Sequence, residues 1–258
     1  MGKVFLIGAG PGDPGLLTVK ALRILEIADV VIHDRLVSAE ILRLSPQALL
    51  VDGGKQQGDQ ERIQDDINQK MLHYASKDLS VVRLKGGDPM VFARGAEEWE
   101  YLIRHGIDVE VVPGVSAALA VPALAGIPPT CRGVAASFAV IAGHRQHLIE
   151  TDWSQYARVD TLIVLMGVEN REHIAENLIR TGRPAAQPVA FIEHVVEQGS
   201  TPRQHVIETS LAAVAAGQID VEPPAVIVMG EVVRLRSRWA REGIDRSGAV
   251  RIAATYHT

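Results

Sequence analysis

The stretch Val81–Glu98, VVRLKGGDPMVFARGAEE, concentrates residue types that could hold and orient a small molecule. Gly86 and Gly87 leave bare backbone on which a ligand can lie, because no Cβ stands in the way. Asp88 and Arg94 bring opposite charges to within a few residues of that opening. The apolar residues Val81, Val82 and Leu84 read as a short strand, which Gly86-Gly87-Asp88-Pro89 ends abruptly. A strand end followed by a glycine-rich break is where open α/β sheets hold ligands. Taken alone, the same four residues read equally well as a tight turn flanked by solvated charges. The elements around them must decide.

Those elements alternate. Val4–Ile7 is a strand-like run closed by Gly8-Ala9-Gly10-Pro11-Gly12-Asp13-Pro14-Gly15, and Leu17, Ala21, Leu22, Leu25 and Ala28 follow at helix-face spacing. Asp29–Ile32 reads as a second strand that delivers His33-Asp34-Arg35 at its end. A short helix near Ser38–Leu44 and a strand near Leu49–Val51 come next, the latter closed by Gly53-Gly54-Lys55. Gln60–Lys77 is an amphipathic surface helix, and a helix near Ala96–Arg104 separates the Val81–Leu84 strand from another at Val109–Val112. Such alternation predicts a largely parallel sheet. Pro11, Asp34, Lys55 and Asp88 then all follow strand ends, the edge where such sheets bind ligands. Gly8-Ala9-Gly10 suggests a nucleotide-dependent oxidoreductase, but Asp13 occupies the third glycine position, and Pro11 and Pro14 lack the amides a phosphate cradle uses.

A Pro-, Gly- and Ala-rich segment begins at Pro113 and contains a small-residue helix from Ser116 to Ala125, with Ser116 as its N-cap. A second series of strands follows at Phe138–Ala142, Thr161–Met166, Pro188–Ile192, Gln204–Glu208 and Ala225–Met229, with helices near Arg171–Arg180 and Thr209–Ala216. Antiparallel pairing of Val206–Glu208 with Ala225–Met229 would make this second sheet mixed. The expected architecture is therefore α/β in two domains. Residues 1–113 form the N-terminal domain, 114–130 a hinge segment, 131–235 the C-terminal domain, and 236–258 a mobile tail.

Bulk properties narrow the function classes. A hydrophobic content of 47% with only 4% aromatic residues suits sheets and helices packed with Val, Leu, Ile and Ala. A net charge of -5 argues against a nucleic-acid partner. The single Cys131 excludes an intramolecular disulfide and a cysteine-rich zinc site, and no metal is expected. No uninterrupted apolar segment is long enough to cross a membrane, and Met1-Gly2-Lys3 runs directly into a strand rather than a signal peptide. A cytoplasmic protein is expected.

With these stretches in hand, the sequence resembles the tetrapyrrole methyltransferase family over Val4 to Val233. The resemblance rests on an ordered set of motifs: VFLIGAGPGDP from Val4, DRLVS from Asp34, VRLKGGDP from Val82 and PGVSA from Pro113. Further along stand Thr130-Cys131-Arg132, Gly143-His144, Met166-Gly167 and Thr201-Pro202-Arg203-Gln204. Any one of these occurs by chance, but the ordered set is specific. Cys131 departs from the family, in which a histidine is frequent there, and Phe191–Gln198 is longer than usual before Gly199.

The resemblance implies two α/β domains with S-adenosylmethionine in the cleft between them, usually as a homodimer. It implies two successive methylations of uroporphyrinogen III, at C2 and C7, giving precorrin-2 and releasing S-adenosylhomocysteine. The product would feed sirohaem, cobalamin or haem d1 synthesis. The chain has no room for the dehydrogenase/ferrochelatase module sometimes fused to such enzymes, so methylation alone is expected. Pro11, Gly86, Gly87, Asp88, Val91, Ser116, Ala117, Met166, Gly199 and Ala225 match donor-binding positions, with Asp88 on a ribose hydroxyl or on the donor's ammonium. The acceptor is a polycarboxylate, which arginine forks suit, and Arg35, Arg94 and Arg132 stand in matched motifs. Glu97 either orients Arg94 or meets a pyrrole N–H. Asp34 and Lys55 match the positions of base and acid in this family, with Arg94 as a rival catalytic participant.

Overall fold

The computed structural model describes residues 2–53, 60–143, 151–195 and 203–241. The chain divides into two compact units, residues 1–120 and 121–258, with the division inside the 114–130 segment.

The first unit is a five-stranded, wholly parallel sheet built from β1 (Lys3–Gly8), β2 (Val30–His33), β3 (Leu49–Asp52), β4 (Val81–Lys85) and β5 (Asp108–Val112), in the order β3-β2-β4-β1-β5. Parallel strands need long crossovers, and these are α1 (Val19–Leu25), α2 (Ala39–Leu42), α3 (Gln60–Ala75) and α4 (Gly95–Arg104). Two helices start at hydroxyl caps: the Thr18 side chain accepts from the Ala21 amide and the Ser38 side chain from the Ile41 amide.

Strand periodicity sorts the apolar residues onto two faces. Ile7, Val31, Val82 and Leu84 pack with Ala21 and Leu25 of α1 and Ile41 of α2. Val4, Leu6, Val30, Ile32 and Val81 pack with Ile67 and Met71 of α3 and Leu102 of α4 on the other face. Each fully buried Leu or Ile contributes roughly 1.5–3 kcal/mol. β4 lies at the centre of the sheet and is buried at all five positions.

The second unit holds α5 (Ala117–Leu124) in part, then β6 (Phe138–Ala142), β7 (Thr161–Leu165), α6 (Arg171–Arg180), β8 (Pro188–Val195), β9 (Arg203–Ser210), α7 (Leu211–Ala215), β10 (Ala225–Met229) and α8 (Val233–Arg241). Its sheet runs β6-β7-β10-β8-β9, with only β6 and β7 parallel. The sheet is mixed, but β9 pairs with β8 and not with β10 as the sequence suggests. Chain neighbours joined by a short connection pair first. β8 and β9 do so over eight registered residues, from Pro188↔Ser210 to Val195↔Arg203. β10 returns after α7 and enters between β7 and β8.

A second correction concerns the expected tail. Residues up to Arg241 belong to α8, and the Arg236 guanidinium donates to the Ala125 carbonyl and to Glu208, both at 3.0 Å. Residues 242–258 lie outside the described residues. Among the described residues, no helix is long and apolar enough to cross a membrane.

Three strand ends in the first unit come closer than side chains allow. A Cβ on Gly8 would stand 2.5 Å from the Gly87 carbonyl oxygen, and one on Gly114 would stand 2.3 Å from that same oxygen. Both glycines are thus required where β1, β4 and β5 end. A Gly114→Ala variant is expected to lose about 1–3 kcal/mol of stability or more, because backbone cannot yield as a flexible side chain does. Urea denaturation measures this, and a loss below about 0.5 kcal/mol would show that the strand ends separate freely.

Candidate active site

All five parallel strands of the first sheet point their C-terminal ends to one edge, so the loops that follow them meet there. Gly10 and Gly87 exchange backbone hydrogen bonds at 3.1 and 2.7 Å, which joins the loop after β1 to the loop after β4. Gly87 has φ +67, and a Cβ on it would stand 3.4 Å from the Ala117 amide nitrogen. Pro11, Gly86, Gly87, Ser116 and Ala117 therefore gather at this edge. Among the described residues, a Cβ on Gly86 would meet only Leu36 Cβ, at 3.7 Å, which leaves one side of its backbone open to them.

Asp88 ties the edge together. One carboxylate oxygen accepts from the Gly114 amide at 3.1 Å and the other from the Met90 amide at 2.8 Å. The first bond anchors the segment after β5, and the second caps the turn that carries Val91. That turn runs to Arg94, and the Gly95 amide donates to the Pro89 carbonyl at 3.0 Å to close it. Phe92 and Arg94 both adopt left-handed backbone, at φ 52 and 59, a conformation costly for residues with side chains. Arg94 Nε and Nη2 both donate to Glu97 Oε2, at 2.8 and 2.6 Å, on the first turn of α4. Arg35 lies exposed beyond β2.

Asp34 follows β2 at the same edge. Its amide donates to the Leu84 carbonyl at 3.1 Å, and its half-buried carboxylate accepts a hydrogen bond from Arg83 Nη2. Arg83 leads into a set of charges that the sequence reading passed over. Arg83 and Lys85 are two residues apart on β4, so both side chains leave the sheet on the face covered by α3 and α4. Both are buried, and Glu98 of α4 is fully buried between them. Glu98 Oε1 accepts from Arg83 Nε at 3.0 Å, from Lys85 Nζ at 2.8 Å and from Gln64 Nε2 of α3 at 3.1 Å. Gln64 also donates to Asn68 at 3.3 Å.

The signal was present in the sequence: central parallel strands are apolar on both faces, so two cations within Val81–Lys85 mark an exception. The environment acts on the two cations differently. Burial works against the Arg83 charge, but the facing carboxylates of Asp34 and Glu98 outweigh it and hold its pKa above the ordinary value. Burial pushes the Lys85 ammonium below its usual 10.5, the Arg83 charge adds to this, and Glu98 opposes it.

In the second unit, Met166 follows β7 with φ 53 and is 51% exposed. The next residue, Gly167, is pressed against Gly143, where a Cβ would stand 2.4 Å from the Gly167 Cα. Ala225 opens β10, which runs antiparallel to β7, so it lies at the edge where β7 ends and Met166 begins the turn. Arg132 is exposed in the turn closed by the Cys131↔Ala135 bridge. Lys55 and Gly199 lie outside the described residues. No group of three or more His, Cys, Asp or Glu able to hold a metal occurs among the described residues.

Comparison with known proteins gives this arrangement a family. Residues 3–215 match the model of the tetrapyrrole (corrin/porphyrin) methylases. A siroheme synthase 2 from Aeromonas hydrophila is 46% identical over 248 residues, 94% of this chain and 52% of that protein. The chain thus spans about half the length of the siroheme synthases it matches. A uroporphyrinogen-III C-methyltransferase from Synechocystis sp. is 43% identical over 241 residues, 90% of each chain. The crystal structure of uroporphyrin-III C-methyl transferase from Thermus thermophilus, complexed with S-adenosyl homocysteine, superposes with a TM-score of 0.79 at 46% identity. That match covers 91% of this chain and 100% of the other.

The Lys85 environment makes a prediction on stability. Below its unfolded value of 10.5 the unfolded chain keeps a proton that the folded chain releases earlier, so folding gains stability as pH rises through that window. The stability of the native chain relative to Lys85→Met is expected to grow as pH rises toward 10.5, as read by urea denaturation at stepped pH. A difference that stays level or shrinks would contradict the depressed ammonium.

Proposed function

The chain belongs to the tetrapyrrole (corrin/porphyrin) methylase family, and we propose that it transfers methyl groups from S-adenosylmethionine to uroporphyrinogen III. Methylation at C2 and then C7 yields precorrin-2 and two molecules of S-adenosylhomocysteine. The product is a precursor for sirohaem, cobalamin or haem d1. One observation carries this reading: the half-buried Asp34 carboxylate, held by Arg83, stands at the same sheet edge as the open backbone of Gly86.

The donor supplies a sulfonium-bound methyl that a nucleophilic ring carbon can displace. The rest is alignment and exclusion of water. The open side of Gly86 and the crossing backbones of Gly10 and Gly87 fit a flat, largely neutral ligand. In this reading Pro11, Gly86, Gly87, Val91, Ser116 and Ala117 line the donor site. Asp88 already accepts two backbone amides, and each oxygen keeps a lone pair for the ribose or the ammonium.

Once the ring carbon has bonded to the methyl, the sulfur leaves with the electron pair and the macrocycle is cationic. A proton must then depart to restore conjugation, and Asp34 receives it. Lys55 serves as the acid, while Arg35, Arg94 and Arg132 take the acceptor's carboxylates. Arg94 is pre-oriented for this by Glu97, to which two of its nitrogens donate. The reading includes a homodimer in the cytoplasm and, with a net charge of -5, no nucleic-acid partner.

Incubation with uroporphyrinogen III and methyl-labelled donor is expected to give a product carrying two labels, read by mass spectrometry. A single label, or none, would remove the proposed substrate or the second methylation. Asp34→Asn is expected to lower kcat roughly 10²–10⁴-fold, the usual contribution of a positioned base, while S-adenosylhomocysteine binding stays within about twofold. An unchanged kcat would remove Asp34 from the chemistry.

A further inference from the structure

We propose that Glu98 is a positioning residue for the reaction, setting the direction of the Asp34 carboxylate through the guanidinium of Arg83. The proposal rests on the reading of Asp34 as the proton acceptor.

A guanidinium is planar, so fixing two of its nitrogens sets where the third points. In Arg83, Nε is held by Glu98 Oε1 at 3.0 Å and Nη1 leans on the Ile32 carbonyl at 3.4 Å. That leaves Nη2 aimed at Asp34 Oδ1. The burial gradient runs the same way: Glu98 is 0% exposed, Arg83 2%, and the Asp34 side chain 34%. The network therefore begins in the core, between α4 and the sheet, and emerges at its partly exposed carboxylate, Asp34.

Glu98 is itself fixed. Its Oε1 takes three donors from three residues on two elements, β4 and α3. Its Oε2 is buried and has no partner among the described residues. Buried polar atoms normally have a partner, so the bare Oε2 is an exception. All three donors converge on the oxygen that holds Arg83. Buried ion clusters are also weak devices for stability, since well-packed apolar residues of similar volume serve as well or better. The apolar rule for a central parallel strand is thus broken at Arg83 and Lys85 without a clear return in stability. The return lies at Asp34, whose orientation a mobile arginine could not hold.

A double-mutant cycle tests the proposal with steady-state kinetics of Glu98→Gln, Asp34→Asn and the combined variant. Glu98→Gln is expected to lower kcat roughly ten- to hundredfold through misorientation, with KM for both substrates within about twofold. In the Asp34→Asn background the same change is expected to cost little more, because two residues that act as a unit are not additive. Arg83→Lys should fall with Glu98→Gln, since one ammonium cannot span both carboxylates. Three outcomes overturn the idea: an unchanged kcat in Glu98→Gln, a loss that multiplies fully with Asp34→Asn, or an active Arg83→Lys. An unchanged rate in Asp34→Asn alone would instead remove the base assignment, which separates the two failures. If Glu98→Gln does not fold, Glu98→Gln with Lys85→Gln removes one charge of each sign and carries the same cycle, with S-adenosylhomocysteine binding as the check of folding.

Discussion

The first unit depends on the buried contact between Glu98 and the two cations of β4. A central parallel strand between two helical layers has no water to solvate Arg83 and Lys85, so their charges need a partner supplied from above. Asp34 meets Arg83 from the end of β2, and α4 supplies the carboxylate that Arg83 and Lys85 share, Glu98 in its first turn, where the positive end of the helix dipole also favours a carboxylate. The start of α4 is thereby tied to β4. With it comes the loop from Asp88 to Arg94, because Gly95 closes that loop onto Pro89.

The same edge shows a second constraint of a different kind. Where β1, β4 and β5 end, the backbones of Gly8, Gly87 and Gly114 approach so closely that two of the three admit no side chain. Asp88 then bonds the amides of Gly114 and Met90 and locks the crossing. Rigid backbone with one open side suits a ligand whose reactive atom must be held at a fixed place. The left-handed Phe92 and Arg94 are strained residues kept in place by this closure, and strain of that sort gathers at sites with a role. The second unit repeats the device on a smaller scale, where Gly143 and Gly167 touch beside the left-handed Met166.

Much of the element pattern was legible in the residues. Phe138–Ala142, Arg171–Arg180 and Ala225–Met229 have the bounds that apolar runs and helix-face spacing suggest. Strand partners were less legible. β9 pairs with β8, to which a short connection joins it, whereas the sequence suggested β10; residue types along a strand do not name its neighbour. The tail was misread at its start for a related reason. Arg234, Arg236 and Arg238 look like a solvated basic stretch until Glu208 and the Ala125 carbonyl are seen to take Arg236.

By itself the sequence determined the alternation of strands and helices, the glycine breaks after strand ends, and the ordered motifs that carry the family. These depend on neighbours a few residues apart, where propensity, periodicity and turn geometry act. Tertiary structure alone decided which charges meet. Asp34 follows β2, Arg83 is on β4 and Glu98 on α4, separated by 49 and 15 residues, and their contacts exist only once β2, β4 and α4 are stacked. The physical reason is that a buried charge is tolerable only beside its partner, and periodicity along a chain cannot name a partner that the fold brings from elsewhere.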